Sequence, residues 1–591
     1  MKTKIFLTLY CFALLHMASA RAQAPSFEWV KSAGGTNVGP SYNNDNATSL
    51  AMDSSGDVFI SGIFESASMT LGTVHLDNPL YDPSIGEGAA SIFIAKYSPS
   101  GDCIWAKVFG VAINQIYSSC PVIAADASGD VYIAGVYGGL DGNAIFGSVT
   151  VKGTGIFLVK LDPNGTPLWG KSDDGITAGN GYNDAATCIA TDAQGNVYLG
   201  GEFFAPKVTF GSTTLKDADT LGISSDIILI KYDPSGNALW AKSAGGSASD
   251  APTSITTDNT GNLYLAGLSL SPSITFGSTT LNSPAGHGCS WLVKYSQSSD
   301  VLWGRSAGKA SGDNIMSTAT DPTGVYITGQ FGSDTIQFGS TAPIVNKSFG
   351  APKIFVAKYN PSGDALWSTS PDGTSFIGDY ATSIVAGPSG TVDITGYFSS
   401  KSLTFGTTTI TSTGSDAIFV AQYDAAGNAH WAKSPQGQGL VSANYAFGTT
   451  SDKHGAIYIA GGFTSSSIAF DQINVANTDS AASPYNLFLA KIAAPSTNTV
   501  SNAALPVSGR MICSPDPVKD NLSVIYTSES DGPAILTISD ILGRERLRQE
   551  FRETGATNEE IINVANIPEG IYYCYLRSAH TIATAKIIVK H

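Results

Sequence analysis

From residue 28 to residue 492 the chain alternates short apolar runs with polar turns, and the alternation has a period of two rather than 3.6. One stretch shows the unit. Ile189-Ala190-Thr191 is a first run, a, followed by Asp192-Ala193-Gln194-Gly195, a turn with Asp at its first position and Gly at its fourth. Val197 to Phe203 is a second run, b, and Ile227 to Tyr232 a third, c. Asp233-Pro234-Ser235-Gly236-Asn237 is a second tight turn by its Pro-x-Gly content, and Leu239-Trp240-Ala241-Lys242 is the last run, d. Period-two runs bounded by turn signals predict β-strands, four to the unit.

The unit recurs. Trp29, Trp105, Trp169, Trp240, Trp303, Trp367 and Trp431 follow one another at intervals of 63 to 76 residues. Asp-x-x-Gly turns begin at Asp53, Asp126, Asp192, Asp258, Asp321 and Asp452, and Gly387 holds the matching place in the sixth repeat. Leu71-Gly72, Phe146-Gly147, Phe210-Gly211, Phe276-Gly277, Phe338-Gly339, Phe405-Gly406 and Phe470-Asp471 mark an excursion between b and c. An aromatic residue three before Lys recurs at Phe93/Lys96, Phe157/Lys160, Trp291/Lys294, Phe355/Lys358 and Phe488/Lys491. Four strands per repeat of this length predict an all-β protein whose main part, 25–492, is a seven-bladed β-propeller; a solenoid is the alternative. The last repeat lacks a d strand and Phe27–Ser32 is an orphan d strand, so the two are expected to pair and close the ring. The tryptophans are expected between blades. Lys96, Lys160, Lys231, Lys294, Lys358 and Lys491 are expected on solvated strand edges.

The repeats resemble the SBBP-type β-propeller repeat of secreted bacterial proteins. The resemblance rests on Gly-x-Val-Tyr-Ile-x-Gly at Gly129–Gly135 and, with Leu for Ile, Gly195–Gly201, followed by Phe-x-x-Lys-Tyr-Asp-x-x-Gly-x-x-x-Trp. It implies a propeller and no particular activity.

Residues 493–509 form a Ser/Thr/Asn/Pro/Ala run that reads as a linker. Beyond it, 510–591 contains five strand-like runs and predicts a small β-sandwich, Ig-like. Pro515-Asp516-Pro517-Val518-Lys519-Asp520-Asn521-Leu522 resembles the opening of the C-terminal sorting domain of the type IX (Por) secretion system, with Asp516 where Asn is usual. Ile538 to Arg544 is similar to its x-Asp-x-x-Gly-Arg hairpin, Ile567 to Tyr573 to its Leu-x-x-Gly-x-Tyr strand, and Lys586 to Lys590 to its terminal strand. The resemblance implies the type IX machinery as a partner, export across the outer membrane, removal of the domain, and release or attachment at the cell surface.

The other end agrees with export. Lys2 and Lys4 precede an apolar run from Ile5 to Ala18, too short for a bilayer and followed by small-x-small sites, so 1–24 reads as a signal peptide and the route passes through the periplasm. No other stretch is apolar enough to span a membrane. A formal net charge of −16 and a charged content of 14% exclude a basic nucleic-acid binder. Six cysteines remain after the signal; none has metal-ligand spacing, and they read as buried thiols or, for Cys513 and Cys574, a bridge.

Candidate chemistry comes from position. The two tight turns of each unit lie on one face, so the irregular b–c and d–a connections share the other, which is the candidate working face. Its least repeated piece, His75 to Ser91, supplies Tyr81, Asp82 and Glu87 as loop contacts. Eight residues before each Asp-x-x-Gly position stand Asp45, Ser118, Asp184, Asp250, Asp313, Asp379 and Asn444. Two readings are open: each side chain caps the loop entering strand a, or the acids form a ring at the channel mouth for a polyhydroxylated ligand or a cation, Ca²⁺ at Asp45, Asp184, Asp250, Asp313 and Asp379. No H-E-x-x-H or Gly-x-Ser-x-Gly motif occurs. The expectation is therefore a secreted or cell-surface binding module for glycan or protein, not an enzyme and without a required cofactor. The alternatives are a structural spacer and, behind it, an enzyme acting on extracellular polysaccharide.

Overall fold

A computed structural model describes residues 24–494 and 511–591, apart from 36–44, 83–86, 89, 111–120, 138–142, 154, 173–183, 219–223, 284–287, 309–311, 349, 374, 439–442, 478–484, 516, 528–531, 541–543, 555–556 and 579–581. The signal peptide and the linker thus lie almost wholly outside the described residues, and Ser118 lies outside them too. Among the described residues there is no α-helix and one 3-10 turn, Pro388–Gly390. The chain divides into two compact units, 1–496 and 497–591.

The first unit contains seven four-stranded antiparallel sheets of one topology, a-b-c-d, each a blade. In blade three the strands are Ala185–Thr191, Val197–Phe203, Asp226–Tyr232 and Ala238–Ala244. The innermost strands touch in order around an axis: Asn46–Met52, Val122–Ala125, Ala185–Thr191, Asp250–Thr257, Asn314–Asp321, Asp379–Ala386, Asn444–Ser451 and back to the first. They enclose an axial cavity of about 250 Å³, lined largely by Ser and Thr. The orphan segment pairs as its pattern predicts. Phe27–Ala33 lies antiparallel to Asn486–Ile492, with Phe27 opposite Ile492 and Ala33 opposite Leu487.

Neighbouring blades are joined at two radii. Near the axis, strand a carries a bulge, between Ala47 and Ser49 in blade one and Pro252 and Ser254 in blade four. The extra residue turns its hydroxyl toward the next blade: Thr48 Oγ1 donates to the Pro121 carbonyl at 3.2 Å, Thr253 Oγ1 to Ile315 at 2.5 Å and Thr382 Oγ1 to Ala446 at 2.6 Å. The serine that follows accepts in return, from Ile123 N at Ser49 and Thr318 N at Ser254. Bulges re-aim a side chain in this way. Farther out, five of the seven strand d tryptophans donate to the c–d turn of the next blade: Trp105 to Pro163 O at 3.0 Å, Trp169 to Pro234 O at 3.1 Å, Trp303 to Pro361 O at 3.0 Å, Trp367 to Ala425 O at 2.9 Å, and Trp29 to Pro99 O at 3.1 Å. The glycine of the turn under Trp169 leaves room for the indole. Gly236 has φ +81°, and a Cβ there would meet Trp169 at 3.0 Å.

The lysines correct the expectation of solvated edges. Lys96, Lys160, Lys231, Lys294 and Lys358 are buried, with the ammonium over an aromatic ring of strand b and against the carboxylate of the Asp-x-x-Gly turn. Lys231 lies 3.3 Å from Asp192, Lys294 3.4 Å from Asp258 and Lys358 3.5 Å from Asp321. The other carboxylate oxygen accepts two amides of its own turn, as in Asp192 with Gln194 N and Asn196 N. Burial opposes charge on these acids, yet the turn donors and the lysine hold Asp192, Asp258 and Asp321 below the usual carboxylate range.

The b–c excursion is a hairpin, for example Lys207–Phe210 with Thr213–Lys216, whose Phe is buried and which packs against strand d of its own blade. This half of the irregular connections is therefore structural rather than free for ligand.

The second unit packs Met511–Ser514, Asn521–Thr527 and Thr557–Asn563 as one sheet and Glu545–Glu553, Gly532–Asp540, Gly570–Ser578 and Ile582–Val589 as another. Leu522, Val524, Leu536, Ile538, Ile562, Cys574 and Ile587 fill the space between them. Its motifs have local reasons. Asp540 accepts Arg544 N at 3.0 Å across the hairpin and the Arg544 and Arg546 guanidinium groups at 2.8 Å. Tyr572 Oη donates to Pro568 O at 2.7 Å.

Candidate functional site

The acidic positions at the start of strand a are clamps. Asp45 accepts Gly35 N at 2.8 Å, Glu65 N at 3.0 Å, Ser66 N at 3.2 Å and Ser66 Oγ at 2.5 Å. Asp313 accepts Gly332 N and Ser333 N at 3.0 Å and Ser333 Oγ at 2.5 Å; Asp379 takes Ser399 N, Ser400 N and Ser400 Oγ in the same way. Asp184 accepts Phe204 N, Asp250 accepts Ser271 Oγ, and Asn444 accepts Ser465 Oγ. Each side chain ties the entry of strand a to the exit of strand b of its own blade. All six are buried. Burial pushes Asp45, Asp250 and Asp379 up, Asp250 to about 6, and the loop donors offset only part of this.

This corrects the open ring. The carboxylates are sealed by their own blades instead of facing ligand at the channel mouth. Among the described residues no group of three His, Cys, Asp or Glu is placed to hold a metal ion, and the hydrogen bonds of Asp45, Asp184, Asp250, Asp313 and Asp379 go to the loops of their own blades. The serine about 21 residues downstream was the available signal: Ser66, Ser271, Ser333, Ser400 and Ser465 all stand there. Of the loop contacts, Tyr81–Asp82 and Glu87–Gly88 form a two-residue ladder, Tyr81 opposite Gly88.

The repeat pattern breaks elsewhere on the same face. The residue after the clamp is Asn46, Ala185, Ala251 or Asn314 in blades one, three, four and five, but Tyr380 and Tyr445 in blades six and seven. Opposite Tyr380 on strand b stands Tyr397, where blades one, three, four and five have Ile63, Glu202, Leu268 and Gln330. Tyr485 precedes strand c of blade seven. All four lie at the irregular end of their strands. Tyr380 stacks on Tyr397 with centroids 4.9 Å apart, Tyr397 meets Tyr445 edge-on at 4.5 Å, and Tyr445 stacks on Tyr485 at 6.2 Å. Asp416 anchors the group by accepting from Tyr445 Oη at 3.2 Å and from Ser399 Oγ. Burial, then Tyr380 and Asp416, push Tyr397 up to about 12.

Beside them a turn lifts two apolar residues out. Ser375 Oγ accepts Ile377 N and Gly378 N, both at 3.0 Å, and Gly378, at φ +131°, lets the Tyr380 ring lie against the backbone. Phe376 is 89% exposed and Ile377 67%, beside a tyrosine whose hydroxyl donates to Ile377 O at 3.4 Å. Sequence reading missed this patch because it looked for what repeats, whereas the patch is visible only as a departure.

Comparisons with known proteins bear on the two units differently. An uncharacterized WD repeat-containing protein of Acanthamoeba polyphaga mimivirus is 22% identical over 476 residues, 73% of this chain and 30% of its own length. The regulatory protein FlaEY of Caulobacter vibrioides is 24% identical over 221 residues, 35% of this chain and 22% of its own. The chain thus spans less than a third of the length of either curated relative. Among solved structures, a protein of unknown function from Dyadobacter fermentans has a TM-score of 0.34 at 9% identity, over 78% of this chain and 99% of that one. A Synechocystis apocarotenoid oxygenase variant has a TM-score of 0.34 at 8% identity, over 78% and 96%. The expectation of a non-enzyme is corrected here, since enzymes stand among the structural neighbours; a likeness at that level assigns no activity. Residues 514–590 match the secretion system C-terminal sorting domain, which marks proteins exported by type IX secretion to the cell surface or the extracellular space.

Proposed function

We propose that the first unit is a surface-presented binding module whose ligand is a glycan, held at the rim of blades six and seven by Tyr380, Tyr397, Tyr445, Tyr485 and Asp416. The observation that carries this reading is the break in repeat symmetry. Features shared by every blade are accounted for by folding, and this aromatic group is shared by none of the other blades described at that position. Tyrosine offers a flat apolar ring with a polar tip, and a carboxylate among such rings adds an acceptor. A sugar presents the complementary pair, a C–H face and a rim of hydroxyls. The same proposal takes residues 1–24 as a cleaved signal, 25–492 as SBBP-like repeats, 493–509 as a linker and 510–591 as the sorting domain, supported by the repeat markers and the export family.

The test is a glycan array probed with the mature protein, followed by titration of the best ligand. Tyr380→Ala and Tyr397→Ala should each weaken binding at least about tenfold, near 1.4 kcal/mol. An empty array, or binding that both variants leave intact, overturns the reading. Capture of a protein partner in place of any glycan would assign the patch to protein recognition.

A further inference from the structure

We propose that Cys513 and Cys574 join as a disulfide that staples the two sheets of the C-terminal unit, formed during passage through the periplasm. Cys513 lies on Met511–Ser514, in the sheet that also holds Asn521–Thr527 and Thr557–Asn563; Cys574 lies on Gly570–Ser578 in the facing sheet. Both thiols belong to one apolar core, Cys574 fully buried and Cys513 half-buried, and the two sulfurs are in hydrogen-bonding contact. The propeller's Cys103, Cys188 and Cys289 sit on three different blades. Export takes the chain through a compartment where disulfides form and persist.

The chemistry balances with a disulfide-bearing thiol oxidase as oxidant. The Cys513 sulfur attacks the oxidase S–S bond, giving a mixed disulfide and releasing one oxidase thiol. The Cys574 sulfur then attacks Cys513, forming the new S–S bond and releasing the second oxidase thiol. Two cysteine thiols are oxidised, one disulfide is reduced, and both protons end on the oxidase. The order follows from access. The neighbouring sulfur, then burial, hold the Cys574 thiol protonated, so Cys513, at the sheet edge, reacts first.

Full-length protein recovered from the periplasm, alkylated without reduction and digested, should yield a peptide linking Cys513 to Cys574, about 2 Da lighter than the two thiol peptides together. Reductant should lower the unfolding midpoint of the C-terminal unit in the native chain, and the Cys513→Ser/Cys574→Ser chain should not respond. Alkyl groups on both cysteines, or a bridge from either one to Cys120, overturn the proposal. So does an equal response to reductant in the double variant.

Discussion

Asp393 is a carboxyl group without a cation. In five blades the turn acid meets a buried lysine, but the sixth repeat has Gly387 in the turn, Asp393 on strand b and Gln422 in place of lysine. Gln422 Nε2 donates to Asp393 Oδ1 at 2.9 Å, and Trp431 Nε1 donates to Gln422 Oε1 at 3.1 Å. The exchange has a reason in the ring. Five other strand d tryptophans donate to the next blade's c–d turn, but blade seven is assembled from both ends of the propeller and has no such turn. Trp431 needs an acceptor, which glutamine supplies and lysine does not. The consequence is electrostatic: burial pushes Asp393 up to about 7 from a usual 3.8, and the amide donor offsets only part of it. A folded value above the unfolded one favours the native state below about pH 4 and loses that contribution as pH rises through about 7, on the order of 2–4 kcal/mol in all. Asp393→Asn keeps a partner for Gln422 and removes the charge. Its unfolding midpoint should exceed that of the native chain at pH 8 and match it near pH 4. Parallel profiles across that range would refute the assignment.

At the scale of strands and turns, the tryptophan latch can be weighed against a matched control. Trp169 and Trp240 make the same aromatic contact, centroids 6.0 Å from Tyr132 and Tyr198 at 60°. Trp169 also donates to Pro234, whereas Trp240 Nε1 has no hydrogen-bond partner. Trp169→Phe should therefore destabilise by about 1 kcal/mol more than Trp240→Phe, read from denaturant midpoints, since that is what one hydrogen bond contributes. Equal losses would reduce the latch to packing alone. Strand order, the tight turns and the closing pair Phe27–Ala33 with Asn486–Ile492 were legible because period and spacing report backbone geometry directly. Lys160 and Lys358 were misread as edge residues because a charge three positions from an aromatic gives no hint that the acid of a distant turn will meet it. The clamp acids were read at the entry to strand a but left ambiguous, because their serine partners lie beyond another strand. The tyrosine patch was illegible to any search for regularity.

For the molecule as a whole, one strand pair closes the ring. Phe27 pairs with Ile492, so shutting the ring joins segments roughly 465 residues apart, against about 60 for assembling one blade. Loop-closure entropy makes this join some 2 kcal/mol harder to reach than a blade's own pairings. It therefore belongs to the slow end of folding, where non-local strand pairing sets the rate. Until it happens, Asn486–Ile492 offers an unpaired edge rich in Leu487, Phe488 and Leu489, the kind of edge that recruits strands from other chains. A chain lacking residues 25–33 should self-associate, seen by light scattering on a sizing column, while the native chain runs as a smaller species; a deletion variant that runs like the native chain would show the edge to be harmless. The strand that precedes all others of the propeller is thus the last to find its place, and the interval before it does is when this protein is most exposed to aggregation on its way out of the cell.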